Sequence, residues 1–166
     1  MATEFALVAL PFFALVFAIL EASLGFWTTQ ALETAVANAS RQIYTGQFQK
    51  DPKNANQSAS QLAANFKNAV CNNIMALFNC DTMLKVDVRT FTSFQNASVS
   101  SPISGGAFDS SGFGYQSPGP DQIVIVRAAL EYPIIVPITK FGNLSNGNRL
   151  IMASAAFRTE PFPSAQ

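Results

Sequence analysis

The sequence predicts an α+β fold: a long N-terminal hydrophobic helix packed on a small antiparallel sheet, with a second, shorter helix. Three observations lead there. Residues 5–20 read FALVALPFFALVFAIL and carry no charge. The stretch behind them (EASLGFWTTQALETAVANAS) continues as a helix, with apolar and small residues at three- and four-residue spacing. Beyond Cys80 the period changes to two, as in strands with one buried face.

The first element runs from about Thr3 to Thr45. Its start is apolar all round, as a helix in lipid or in a bundle of copies should be. Left in water, that surface would cost on the order of 20 kcal/mol or more at about 25 cal/mol per Å². From Phe5 to Trp27 a helix is about 34 Å long, enough to cross a hydrocarbon core of about 30 Å. Glu21, roughly 24 Å from Phe5, would lie near one interface, with Trp27 as an interfacial anchor. Pro11 removes one backbone hydrogen bond and should bend the helix. Leu24, Thr28, Ala31, Leu32, Ala35, Ala39 and Ile43 form the packing stripe, while Glu33, Asn38 and Arg41 face water. A secretory signal is disfavoured, because no Lys or Arg precedes the run and no polar break follows it. The opening is instead expected to be the mature end of a precursor whose basic leader has gone.

Gly46 to Ala55 reads as a polar turn. A second amphipathic helix follows from about Ser58 to Phe78, with Leu62, Phe66, Ala69, Val70, Ile74 and Leu77 on its apolar face. Leu84, Val86 and Val88 alternate with Lys85, Asp87 and Arg89, giving a strand with the charged residues outward. Ile123–Tyr132 and Leu150–Phe157 read as two further strands, with Pro133 and Pro137 making the end of the first irregular or an edge. Between the strands lie a Ser/Gly/Pro-rich connection from about Gln95 to Asp121 and a turn from Asn143 to Asn148. The tail from Thr159 is expected to be extended. Two domains are expected: residues 1–45 as the helix, anchoring or filament-forming in its first half, and residues 46–166 as a globular α+β domain.

Composition excludes several chemistries. Only 12% of residues are charged and the net charge is zero, against a usual charged fraction of about 25%. No basic cluster exists to neutralise phosphates, so nucleic acid is not an expected partner. There is no histidine, which removes the usual general base and the commonest metal ligand. No spacing of Ser, Lys or carboxylates marks a catalytic site, and Gly105, Gly106, Gly112 and Gly114 match no phosphate-cradling pattern. No cofactor or metal is expected, a calcium site at Asp109 or Asp121 being weakly indicated. Cys71 and Cys80 read as one disulfide in an oxidising compartment, worth roughly 2.5–3 kcal/mol in a loop-entropy model, or as two free thiols in a reducing one. Glu4 has two readings: a helix-start acid favoured by the dipole, or a carboxylate that meets a cation, such as a neighbour's amino terminus, when the helix enters a bundle.

The residues also resemble a known family. ATEFALVALPFF, then an apolar run closing on Glu21, resembles the opening of the TadE-like pilins and pseudopilins of tight-adherence (Tad) systems, within the type IV pilus superfamily. AVCNNIMALFNCDTMLKVDVRTF resembles that family's two-cysteine passage from helix to strand, and EYPIIVP and LIMASAAFRTEPF its Tyr-Pro strand exit and closing strand. The resemblance implies a type IV pilin-like fold and a precursor cleaved by a prepilin peptidase. It implies a mature chain held in the bacterial inner membrane, its domain in the periplasm, until pilus assembly machinery extracts it into a surface filament. The expected partners are other copies or other pilins, met through the N-terminal helix. Glu4, Phe5 and Pro11 are then the expected assembly residues, with Glu4 pairing to an adjacent subunit's amine; the family acid is usually the fifth mature residue, whereas here it is the fourth. The chain is larger than short major pilins, which favours a minor, tip or priming subunit. The expected function is a structural subunit of an adhesive filament and not an enzyme; the alternative is a monomeric, membrane-tethered periplasmic binding domain. Phe108, Phe113 and Tyr115 in the long connection suggest a contact surface, with a disordered connector as the other reading.

Overall fold

A computed structural model describes residues 2–74, 78–135 and 142–162, without the side chains of residues 2–4 and 6. The Glu4 side chain, Leu77, Pro137 and the tail from residue 163 therefore lie outside the described residues.

Helix α1 (Ala2–Tyr44) is continuous through Pro11. Its second half buries one stripe: Glu21, Gly25, Thr28, Leu32, Ala35, Val36, Ala39, Ser40 and Ile43. The spacing follows the three-four helical rule, but the stripe is wider than expected, taking in Glu21, Val36 and Ser40, while Leu24 is exposed. Gly46 ends the helix in a left-handed conformation, φ 74°, where glycine alone is unstrained. A Cβ there would also lie 2.6 Å from the Phe162 ring, so the end of the last strand's tail packs against this turn.

The expected polar turn contains a short helix, α2 (Gln47–Lys50), because Phe48 is drawn inward. Its ring packs 5.8 Å from Phe66 and 5.6 Å from Tyr115. Helix α3 (Ala59–Cys71) starts at a capping box, Ser58 and Gln61 each accepting from the other's backbone N–H. It stops at Cys71, well before Phe78. The reason is geometric: Cys71 and Cys80 form a disulfide with Cα atoms 5.8 Å apart, whereas nine residues of continuous helix would separate them by about 13.5 Å. The chain turns at Asn72 and Asn73 and re-enters through α4 (Cys80–Met83), capped by Asn79.

Strands β1 (Leu84–Phe91), β4 (Ile123–Tyr132) and β5 (Arg149–Arg158) form an antiparallel sheet in the order β1-β4-β5. Direct pairs include Val88 with Val126 and Val126 with Ala155. Alternate residues of all three strands face α1 and α3, giving one core built from Leu84, Val88, Val124, Val126, Leu130, Ile151, Leu32, Val36, Ile43, Phe66 and Val70. The Asn143–Asn148 turn is present, with Asn143 and Leu144 donating to the Asn148 carbonyl at 3.1 Å.

The connection after β1 lies on the sheet. It carries the minimal hairpin β2 (Ile103–Ser104) and β3 (Ala107–Phe108). It then runs parallel to β1, Val88 donating to Gly114 at 2.8 Å and accepting from Gln116 at 2.9 Å. That pairing shields part of an otherwise open sheet edge. Tyr115 goes into the core and so is not a contact-surface residue. Its hydroxyl has no hydrogen-bond partner among the described residues, and burial pushes its pKa up from 10.0. A phenol kept neutral by folding gives stability that is full below the unfolded pKa near 10 and is lost as pH rises above it. Tyr115→Phe is expected to be neutral or stabilising by up to about 1 kcal/mol at pH 7. It should also flatten the loss of stability above about pH 10, as read by denaturant midpoints across pH.

Candidate functional site

The first half of α1 leaves the folded body. Phe5, Leu7, Leu10, Phe12, Leu15 and Ile19 are all more than half exposed, Leu7 as much as 77%. Nothing among the described residues covers this segment, and the helix is long and apolar enough to cross a membrane. Phe5 and Pro11 both lie on it; Glu4 is in its first turn.

The segment ends at a collar formed by one end of the sheet. Strand β5 runs alongside α1 in the same direction, since Arg149 approaches Gly25 and Phe157 packs on Tyr44. The end of β4 and the start of β5 therefore lie on the side of the exposed half-helix. Glu21 is 5% exposed there, and its Oε2 accepts the Ile135 N–H at 3.2 Å. Burial, and after it the Glu21 charge, raise the Tyr132 pKa. Above this level Glu131 accepts from Asn146 at 2.5 Å and Asn148 at 2.7 Å. Helix length alone puts Glu21 near an interface; its capture by the strand exit depends on a contact across more than a hundred residues.

A second polar centre, which the local sequence pattern does not predict, lies on the outer face of the sheet around Asp87. Asp87 is fully buried, not facing water. Its direct cross-strand neighbour is Arg127, which donates to Asp87 Oδ2 from Nη2 at 2.6 Å and from Nε at 3.1 Å. Arg89 Nε and the Gly114 N–H donate to Oδ1 at 2.8 and 3.0 Å. Arg127 Nη1 also donates to the Ser100 carbonyl at 2.6 Å, Arg89 Nη2 donates to the Gly112 carbonyl, and Phe113 lies over Arg127 at 5.1 Å. Phe113 packs in turn on Phe108. The group fastens the long connection to the sheet. Every oxygen of the carboxylate has donors, so the arrangement is structural: it offers neither a free nucleophile nor a poised base.

No cluster of metal-ligating residues occurs among the described residues. Asp109 accepts the Ser111 N–H at 2.8 Å, and Asp121 lies beside Arg158 at 3.7 Å. The depression between the end of α1 and α3 is open and lined by amides, including Asn54, Asn65 and Asn68, with no nucleophile–base pair.

Comparison with known proteins points to the exposed helix. The family model described as TadE-like protein matches residues 1–41. This segment is TadE-like. The match bears out the resemblance carried by ATEFALVALPFF; it covers α1 up to Arg41, short of the helix end at Tyr44, and stops before the sheet. No curated protein and no solved structure matches the chain significantly. A TadE-like N-terminal segment indicates involvement in Tad pilus systems, and the apolar half of the TadE-like helix is compatible with membrane anchoring.

Proposed function

We propose that the chain is a structural subunit of a Tad-type, type IV-like pilus. It waits in the bacterial inner membrane with its domain in the periplasm, and is then extracted and assembled into, or primes, a surface filament used in adhesion. The observation that carries this reading is the TadE-like half-helix projecting from a folded body with its apolar side chains uncovered. Such a surface requires lipid before assembly and neighbouring helices after it. Its partners are other copies or other pilins through α1, a prepilin peptidase and the assembly machinery. Glu4, Phe5 and Pro11 are the proposed assembly residues, with Glu4 meeting a neighbour's amine.

Glu4→Ala is the direct test. It should abolish or strongly reduce surface filaments in immunoblots of sheared pili, while the cell-associated protein keeps its level and its Cys71–Cys80 disulfide. Normal piliation by the variant would remove the proposed role of Glu4. A chain that supports its cellular role after loss of residues 1–25 would favour a tethered binding domain.

A further inference from the structure

We infer that the rim of the folded body is seated in the bilayer, with Ile135 inserted at the edge of the hydrocarbon, so that the chain holds the membrane at two points and not by its helix alone. This rests on the membrane-anchored reading above.

The argument begins with length. From Phe5 to Glu21 the helix rises about 24 Å, about 6 Å short of a hydrocarbon core of about 30 Å. From Phe5 to Gly25 it rises about 30 Å and matches that thickness. An anchor that ended at Glu21 would thin the membrane and leave Phe26 and Trp27, 68% and 53% exposed, in water. Extending the span past Glu21 requires the carboxylate to be shielded, because a bare acid in hydrocarbon is costly.

The strand exit supplies that shield. The Ile135 N–H donates to Glu21, and Glu21 is almost completely covered. The same contact fixes Ile135 at the Glu21 level, about 6 Å deeper than Gly25. Ile135 is 69% exposed, as suits a residue covered by lipid. Arg149 approaches Gly25 and so reaches the level of the lipid phosphates, where a cation is favoured. Trp27, about 3 Å further along the axis, falls in the zone that indole prefers. An apolar tip at the edge of the hydrocarbon, then a cation and an aromatic ring in the headgroup interface, thus occur in the order that a bilayer requires. The occupant is the bilayer, because the patch is continuous with the anchoring helix.

Trp27 is the sole tryptophan, which allows depth to be read by fluorescence in the full chain. Three proteins would be reconstituted into phosphatidylcholine–phosphatidylglycerol vesicles: the unaltered chain, Trp27→Phe with Phe12→Trp, and Trp27→Phe with Ile135→Trp. Each would be floated and then challenged with acrylamide and with lipids brominated high in the acyl chain. The expected result is that position 135 loses most of its emission to brominated lipid and little to acrylamide, while Trp27 is quenched less by bromine than position 135. If position 12 is quenched by lipid but position 135 only by acrylamide, the body stands clear of the membrane, and the inference fails while the anchor survives. If position 135 is shielded from both quenchers, protein covers it, and the inference fails as well. If the chain does not float, or position 12 is not quenched by lipid, the anchored reading itself falls and takes this one with it.

Discussion

Asp87→Ala is expected to destabilise the folded body by about 3–5 kcal/mol, the usual cost of breaking a buried ion pair from one side. The magnitude follows from what remains. Arg127 is 5% exposed, and without Asp87 its guanidinium keeps the Ser100 carbonyl and the Phe113 face but loses its counter-charge. The Gly114 N–H loses its acceptor, and Arg89 loses a partner beside the same loop. Against a typical domain stability of about 5–15 kcal/mol, the loss is a large fraction. Urea unfolding of the detergent-solubilised chain, followed by far-UV circular dichroism, should show the midpoint falling, with protease sensitivity rising between Ser98 and Gln116. Asp87→Leu combined with Arg127→Met should recover much of the loss, because removing both charges leaves neither unpaired. If Asp87→Ala changes stability by less than about 1 kcal/mol, the network does not fasten the connection.

The same residues show what was legible in the sequence. The long helix, the three main strands and the adjacent cysteines announce themselves through local patterns: an uncharged run, period-two alternation and short separation. Asp87 resists that kind of reading. Alternation in LKVDVRTF correctly separates two faces, but it cannot say that the second face is covered by a connection arriving from more than ten residues away. The available signal was Arg127, the lone charge in IVIVRAAL. In a strand buried on both faces a charge needs a partner, and an antiparallel register with β1 supplies Asp87. The Ser/Gly-rich composition of the connection hid its role, since Phe113 and Tyr115 acquire meaning only once seated. Phe48 was similarly masked by the polar residues around it. In the candidate site, the exposed helix was legible from composition alone, whereas the Glu21–Ile135 contact depends on how the β4 exit folds back on α1.

The two halves of α1 should also respond oppositely to truncation. Deleting residues 1–20 takes away the exposed apolar side chains from Phe5 to Leu20 and no residue of the buried core, and is expected to give a detergent-free, monomeric, folded protein. Deleting residues 1–45 is expected to leave no cooperative fold. The second cut takes Leu32, Val36 and Ile43, each at most 1% exposed, together with Ala35 and Ala39. At about 1.5–3 kcal/mol for each large side chain, before counting the exposed undersides of β4 and β5, the loss approaches 10 kcal/mol. That is comparable to the whole stability of an ordinary domain of about 5–15 kcal/mol. Filling the gap from elsewhere is not possible, because α3 packs on β1 and on α1 itself, leaving the β5 side to α1. The alanines matter as much as the larger residues: at 0% exposure Ala35 and Ala39 let the helix lie close to the sheet, an approach that a separately added peptide must reproduce in register. Size-exclusion chromatography with thermal melts distinguishes the cases. A folded 46–166 fragment would mean that α1 is only a handle on an independent domain; a shorter protein that melts cooperatively only when residues 21–45 are kept would mean that one helix serves as both anchor and core.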